Sequence, residues 1–170
     1  MDTSNSNRFS KEAFFFMFQL DKYFQKTMNF RSEITINKPV KEVFKYVINP
    51  KNLSKWVDGF EKFKPQKGKP RQLGSVGTHI YNDKDGKLEV REEVLANEPD
   101  KILKTHLSHK NMETTLTFRF LNQGDSTKLI AETKVRLKPF IFNLASPFVK
   151  TPMKKQQQAD LDRLKKRLEP

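Results

Sequence analysis

Glu92 is the side chain of this sequence best placed to do chemistry. Over residues 87–95, Val90 and Val94 alternate with Glu89, Arg91 and Glu93. Period two sets Val90, Glu92 and Val94 on one face of a strand, and valines turn inward. A carboxylate among apolar side chains has its pKa raised; it can then serve as a general acid or base, or orient a polar group of a ligand. The plainer role is an ion pair with a neighbouring lysine at a rim. His79 and His106 fall at mid-strand positions, with either face open to them. His106 and His109 are three apart, so on a strand they point to opposite faces and cannot share a metal. With no third ligand nearby, no metal and no cofactor is assigned. The sequence carries no GxSxG elbow, phosphate loop or dinucleotide fingerprint.

The elements that must position these residues follow from period and punctuation. In ITINKPVKEVFKYVINPKNLSKWVDGF, residues 34–60, Ile34 and Ile36 alternate as in a half-buried strand. Pro39 suits the first helical position. Val40, Val43, Phe44 and Val47 then recur at helical spacing, and Asn49-Pro50 stops that helix. A second short helix runs to Trp56, the single tryptophan. Strands follow over 60–65, 73–82, 87–95, 101–108, 111–121 and 128–137. Gly74 and Gly77 mark bulges or a close approach, and Asp85-Gly86 marks a hairpin. Alternation puts Leu116, Phe118 and Phe120 inward on one strand, Leu129, Ala131, Thr133 and Val135 on the next, and Leu103, Thr105 and Leu107 on the one before. Short links between strands imply an antiparallel meander. Ser146-Pro147 and Thr151-Pro152 each read as a cap followed by proline, so a proline-broken segment over 138–152 is expected. After it comes a long helix with the stripe Met153, Gln157, Leu161, Leu164 and Leu168.

With 170 residues, no cysteine, 35% hydrophobic residues and a formal net charge of +13, the chain suits one domain without a disulfide framework. A cytoplasmic location is the expectation. The charge is spread along the chain and fits a solvated surface; attraction to RNA or anionic membrane is the sharper alternative. Residues 1–27 form a separate compositional block, and residues 28–170 form the domain. Within the block, AFFFMFQL (13–20) is far too short for the roughly 20 apolar residues of a membrane span. Phe14, Met17, Phe18 and Phe24 share a helical face that can dock on the body or on a partner, or make peripheral contact with a membrane surface. A start at Met28 is the other reading of this block.

A strand, two short helices, a run of antiparallel strands and one long C-terminal helix describe an α+β helix-grip fold, β-α-α-β-β-β-β-β-β-α, with about six or seven strands. On three segments the chain resembles the START-like (SRPBCC) superfamily, and within it the polyketide cyclase/dehydrase-like branch. The segments are residues 34–60, the run from GSVGTHI to VLANEPDKILKTHL, and the ending DLDRLKKRLE. Together they span roughly residues 29–169. The resemblance implies a cavity between sheet and long helix that holds a hydrophobic small molecule or lipid. A cyclase/dehydrase-type enzyme acting on an aromatic or polyketide-like substrate is the alternative. A basic protein binding RNA or anionic membrane stands third, nucleic acid being disfavoured because a helix must cover Phe118 and Phe120. The ligand-binding residues expected of such a cavity are Trp56, Val90, Glu92, Leu103, Thr105, Leu107, Leu116, Phe118, Ala131, Thr133, Met153 and Gln157. Trp56 closes one end of the cavity or packs beneath the small helices, and Glu92 is the candidate catalytic group.

Overall fold

A computed structural model describes residues 27–83, 86–110, 112–137 and 139–170, without the side chains of 83 and 139–149. The readings made on the aromatic block before residue 27, on Asp85 and on the side chains of the apolar stretch after Lys138 lie outside the described residues.

Seven strands form one antiparallel sheet: β1 (Thr27–Ile36), β2 (Phe60–Lys67), β3 (Val76–Asp83), β4 (Gly86–Glu98), β5 (Ile102–His109), β6 (Met112–Gln123) and β7 (Ser126–Leu137). Their spatial order is β1-β7-β6-β5-β4-β3-β2. From β2 onward each strand pairs with the next, while β1 closes against β7 along its whole length. Helix α1 (Val40–Ile48) and a 3-10 helix (Pro50–Lys55) follow β1, and helix α2 (Pro139–Leu168) ends the fold. This is the α+β helix-grip architecture expected from the element order.

Each element has a local cause. The carbonyl of Pro39 starts α1 by accepting from the Glu42 and Val43 amides at 3.0 and 3.2 Å. Val40, Val43, Phe44 and Val47 are the buried face of α1. Asn49 caps the 3-10 helix by accepting from Lys51 N at 3.1 Å, with Pro50 just inside it. These two helices drop onto the inner face of the sheet. There Phe44 meets Phe120 edge to face at 5.1 Å, and the core continues through Ile36, Leu129, Leu161 and Leu164.

Most strands shift by one to three residues at an end from the sequence reading, and three differences have a visible cause. Strand β1 already runs from Thr27, the first described residue, with Met28 and Phe30 also facing inward and packing with Val135 and Leu137; Ser32 interrupts that apolar alternation in the sequence. Strand β3 begins at Val76, since Gly68, Arg71 and Gly74 all take positive φ and hold the preceding residues as a loop. Helix α2 runs unbroken through Pro147 and Pro152. Each proline removes one N–H from the helical ladder and crowds the carbonyl four residues back, yet the downstream turns are anchored by Leu161 and Leu164, 1% and 0% exposed.

Candidate functional site: a cavity with a buried ionic corner

A cavity of about 280 Å³ lies between the inner face of the sheet, the 3-10 helix and α2. That is just under the ~300–1,000 Å³ usual for small-molecule pockets. Phe30, Leu53, Trp56, Phe60, Leu116, Phe118 and Leu161 supply most of its apolar wall. Phe118 meets the Trp56 ring edge to face at 6.2 Å.

The polar groups gather at the β3–β4 side. Alternation along β4 brings Glu92 inward, and register places it opposite Gly77 on β3 and Leu107 on β5. Its Oε2 accepts a hydrogen bond from Arg71 Nη1 at 2.7 Å. The same oxygen stands 3.0 Å from His79 Nε2, in contact but off the line a hydrogen bond prefers. The other ring nitrogen, Nδ1, is 3.2 Å from the Tyr81 hydroxyl. Arg71, His79 and Glu92 are all buried, at 6%, 5% and 2% exposure. The Phe60 and Phe63 rings hold the imidazole edgewise at 5.3 and 5.5 Å.

Two local features make this corner. A bulge between Phe60 and Lys62 in β2 lets Phe60 and Phe63 share the inner face although they are three residues apart. Gly77 leaves room for Phe63, since a Cβ there would lie 2.1 Å from Phe63 Cζ. Arg71 reaches Glu92 from the loop through a left-handed backbone (φ 67°). Asn97 fixes that loop by donating from Nδ2 to the Arg71 carbonyl at 2.6 Å.

The electrostatics correct one expectation. Burial pushes the Glu92 carboxyl up, as its apolar setting suggested, but contact with His79 and the Arg71 charge outweigh it and hold the group below its ordinary value. Its partners are therefore a buried arginine and histidine, where a rim lysine was the plainer expectation. Burial together with the Glu92 charge pushes the Tyr81 hydroxyl well up, so it keeps its proton. Asp160, on α2 at the cavity wall, is also raised, chiefly by burial, despite hydrogen bonds from Gln156 and the Asp58 amide.

Trp56, Glu92, Thr105, Leu107, Leu116, Phe118, Thr133, Met153 and Gln157 stand on the cavity wall. Val90, Leu103 and Ala131 were expected there and do not line it. Val90 is buried opposite His79, toward the β3–β4 turn. Leu103 is consumed by the core cluster. Ala131 is too short to reach the space, and Gln157 Nε2 donates to its carbonyl at 3.0 Å. Gln157 Oε1 in turn accepts from Thr133 Oγ1 at 3.2 Å, tying α2 to β7.

Sequence reasoning missed Arg71, Tyr81 and Asp160 as site residues. Tyr81 lies two positions after His79 on one strand face, a signal that was available; Arg71 carried none, because only tertiary folding brings its loop to β4. His79 turns inward and His106 lies on the outer face, half-buried. Among the described residues no cluster of three metal-ligating side chains occurs, and no helix is long and apolar enough to cross a membrane.

A family model described as polyketide cyclase/dehydrase and lipid transport matches residues 27–169. No curated protein sequence matches the chain. Among solved structures, a protein of Thermus thermophilus is 16% identical with a TM-score of 0.69, over 83% of this chain and 97% of its own. Norcoclaurine synthase from Thalictrum flavum, solved with dopamine and hydroxybenzaldehyde, is 14% identical with a TM-score of 0.66, over 88% of this chain and 90% of its own. The di-domain ARO/CYC BexL is 17% identical with a TM-score of 0.69, over 85% of this chain and 50% of its own. Such identities establish a shared fold.

Proposed function

This chain belongs to the polyketide cyclase/dehydrase and lipid transport family, and we propose that it binds a small hydrophobic molecule in the cavity between its sheet and α2. The observation that carries this reading is the aromatic-walled space of about 280 Å³. Burial of a guest's apolar surface there contributes about 25 cal/mol per Å² before the entropy of binding is subtracted. We place this binding in the cytoplasm, in keeping with a chain of 170 residues without cysteine. Native mass spectrometry of the purified protein is expected to detect a co-purifying lipid, quinone or aromatic compound. Recovery of bare protein that also fails to take up added aromatic compounds removes the proposal.

The ionic corner favours a second reading, a cyclase/dehydrase-type enzyme. Glu92, His79 and Tyr81 form a buried chain of a carboxylate, an imidazole and a protonated phenol at the cavity wall. A carboxylate held ionised beside an imidazole suits that pair to accept a proton from a bound substrate, with the neutral phenol able to donate one. The test is loss of one water from a poly-β-ketone model compound incubated with the protein, abolished in Glu92→Gln. Unchanged substrate mass leaves the binding reading alone standing.

A further inference from the structure

Helix α2 faces the cavity along one stripe. Met153, Gln156, Gln157, Asp160 and Leu161 all line it, and side chains at such spacing share one helical face. Asp162, two residues beyond Asp160, lies off that stripe, exposed and accepting from Gln158 Nε2 at 3.2 Å. Glu92 belongs to the ionic corner; Asp160 is the other carboxylate on the cavity wall.

The two oxygens of Asp160 are not alike. Oδ1 accepts from Gln156 Nε2 at 2.9 Å and from the Asp58 amide at 3.3 Å, and it is paired with Arg163 Nη2. Arg163 also donates from Nε to the Trp56 carbonyl at 3.0 Å, so this oxygen is locked into the joint between α2 and the turn after the 3-10 helix. Oδ2 accepts from no described residue. Nor is it sealed in, as the indole Nε1 of Trp56 is; the Asp160 side chain keeps 17% of its surface open. An ionised carboxylate can only accept. Burial pushes the Asp160 carboxyl up, and a donor brought to Oδ2 offsets that desolvation. On the facing wall, burial and then the charges of Glu92 and Asp160 raise the Tyr81 hydroxyl. Asp160 thus acts electrostatically across the space where a guest would sit.

We propose that Asp160 is a specificity-determining residue of the cavity: its free Oδ2 accepts a hydrogen bond from a neutral hydroxyl on an otherwise apolar ligand, a phenol or an alcohol. This rests on the binding reading above and adds the polar group of the guest. The donor is neutral because Arg163 already balances the Asp160 charge; an ammonium would bring a second cation to one carboxylate. The body is apolar because Trp56, Phe60, Phe118 and Leu161 wall the same space. Asparagine at this position would leave only one side-chain oxygen. The Asp58 amide, Gln156 and Arg163 all need an acceptor and claim it, so the amide nitrogen is left at the Oδ2 position. The site then donates where it had accepted.

The test uses the full chain at neutral pH and two probes, 2-naphthol, which donates, and 2-methoxynaphthalene, which only accepts, with affinities from equilibrium dialysis. The unaltered protein is expected to bind the naphthol about tenfold more tightly, the gain from one charge-assisted hydrogen bond. In Asp160→Asn that order is expected to reverse. Asp160→Ser, which withdraws the carboxylate altogether, is expected to bind the two about equally, and it serves alone if Asp160→Asn lacks native-like thermal unfolding. Glu92→Gln is expected to keep the naphthol preference. A preference that survives in the Asp160 variants overturns the assignment. So does a loss in Glu92→Gln as large as in Asp160→Asn, which would move the acceptor to β4. Binding of both probes by the unaltered protein without preference sinks the inference alone, whereas binding of neither removes the binding reading and the inference with it.

Discussion

Two stretches of the same inner face, a few residues apart, have opposite characters. Beneath α1 the sheet is dry and filled: Phe120, Leu129, Ile36 and Val43 pack with Phe44 and Leu164, and none is more than 6% exposed. Toward β3 and β4 the same face carries Arg71, His79, Tyr81 and Glu92 around open volume. The two small helices make the difference. They deliver Val40, Val43, Phe44 and Val47 to one end of the sheet, while Leu53 reaches the cavity wall. At the other end an aromatic wall is left around open volume, and the polar groups gathered there turn to one another. One end thus stabilises the fold, while the other holds the chemistry.

Truncation on one strand probes that contrast most sharply. Phe120→Ala, in the filled half, is expected to lower unfolding free energy by about 4 kcal/mol in urea titration. Phe118→Ala, two residues away and already beside the cavity, is expected to cost about half as much, because less packing is lost there. Equal costs would erase the distinction between the two halves. Next in size is Glu92→Ala, which leaves the Arg71 guanidinium buried without its partner; about 3 kcal/mol is expected, with Arg71→Ala similar and the double variant less than additive. Gly77→Ala forces the Phe63 ring off His79 and is expected to cost about 2 kcal/mol, with a change in ligand affinity that Phe120→Ala does not produce.

Acid titration separates the two wall carboxylates. Folding holds Glu92 below its ordinary value, so its contribution is complete above the ordinary carboxylate range, about pH 4.3, and is lost as pH falls through the folded value. The stability gap between wild type and Glu92→Gln should narrow on acidification. Asp160 is raised by burial, so its ionised form is disfavoured in the folded state, and protonation relieves that penalty. Wild type should gain on Asp160→Asn as pH falls, the opposite slope. The smallest effect is expected on the outer face. Arg119→Ala removes an exposed cross-strand pair with Glu132 at 2.9 Å and should change stability by at most about 0.5 kcal/mol.

The filled half was more legible in the sequence than the ionic corner. Alternation along β6 and β7 assigns inward faces because apolar side chains recur there at period two, broken by Thr114 and Thr133, and the helical spacing of α1 names its buried side. At the corner these signals fail. His79 sits between Thr78 and Ile80, which are buried on the opposite face, so period two alone cannot choose its side. Arg71 reads as one more loop cation, since a left-handed residue outside glycine leaves no pattern. The direction of the Glu92 shift depends on those two partners, so it was unreadable without them. The continuity of α2 was hidden for a different reason, because proline is a strong stop signal locally yet yields to tertiary anchoring downstream.

The bulge in β2 bears on how the sheet meets other molecules. A seven-stranded open sheet has two unpaired borders. That of β1 is covered by α2, whose Lys165 Nζ and Gln158 Nε2 donate to the Thr35 and Glu33 carbonyls at 2.7 and 3.4 Å. That of β2 has no such cover from α2 among the described hydrogen bonds, but two register shifts interrupt it, Pro65 offers no N–H, and Lys62, Lys64 and Lys67 are exposed along it. An incoming strand finds a kinked, positively charged template there and cannot extend the ladder. The irregularity that aims two phenyl rings at His79 thus also guards the molecule against growing by strand addition.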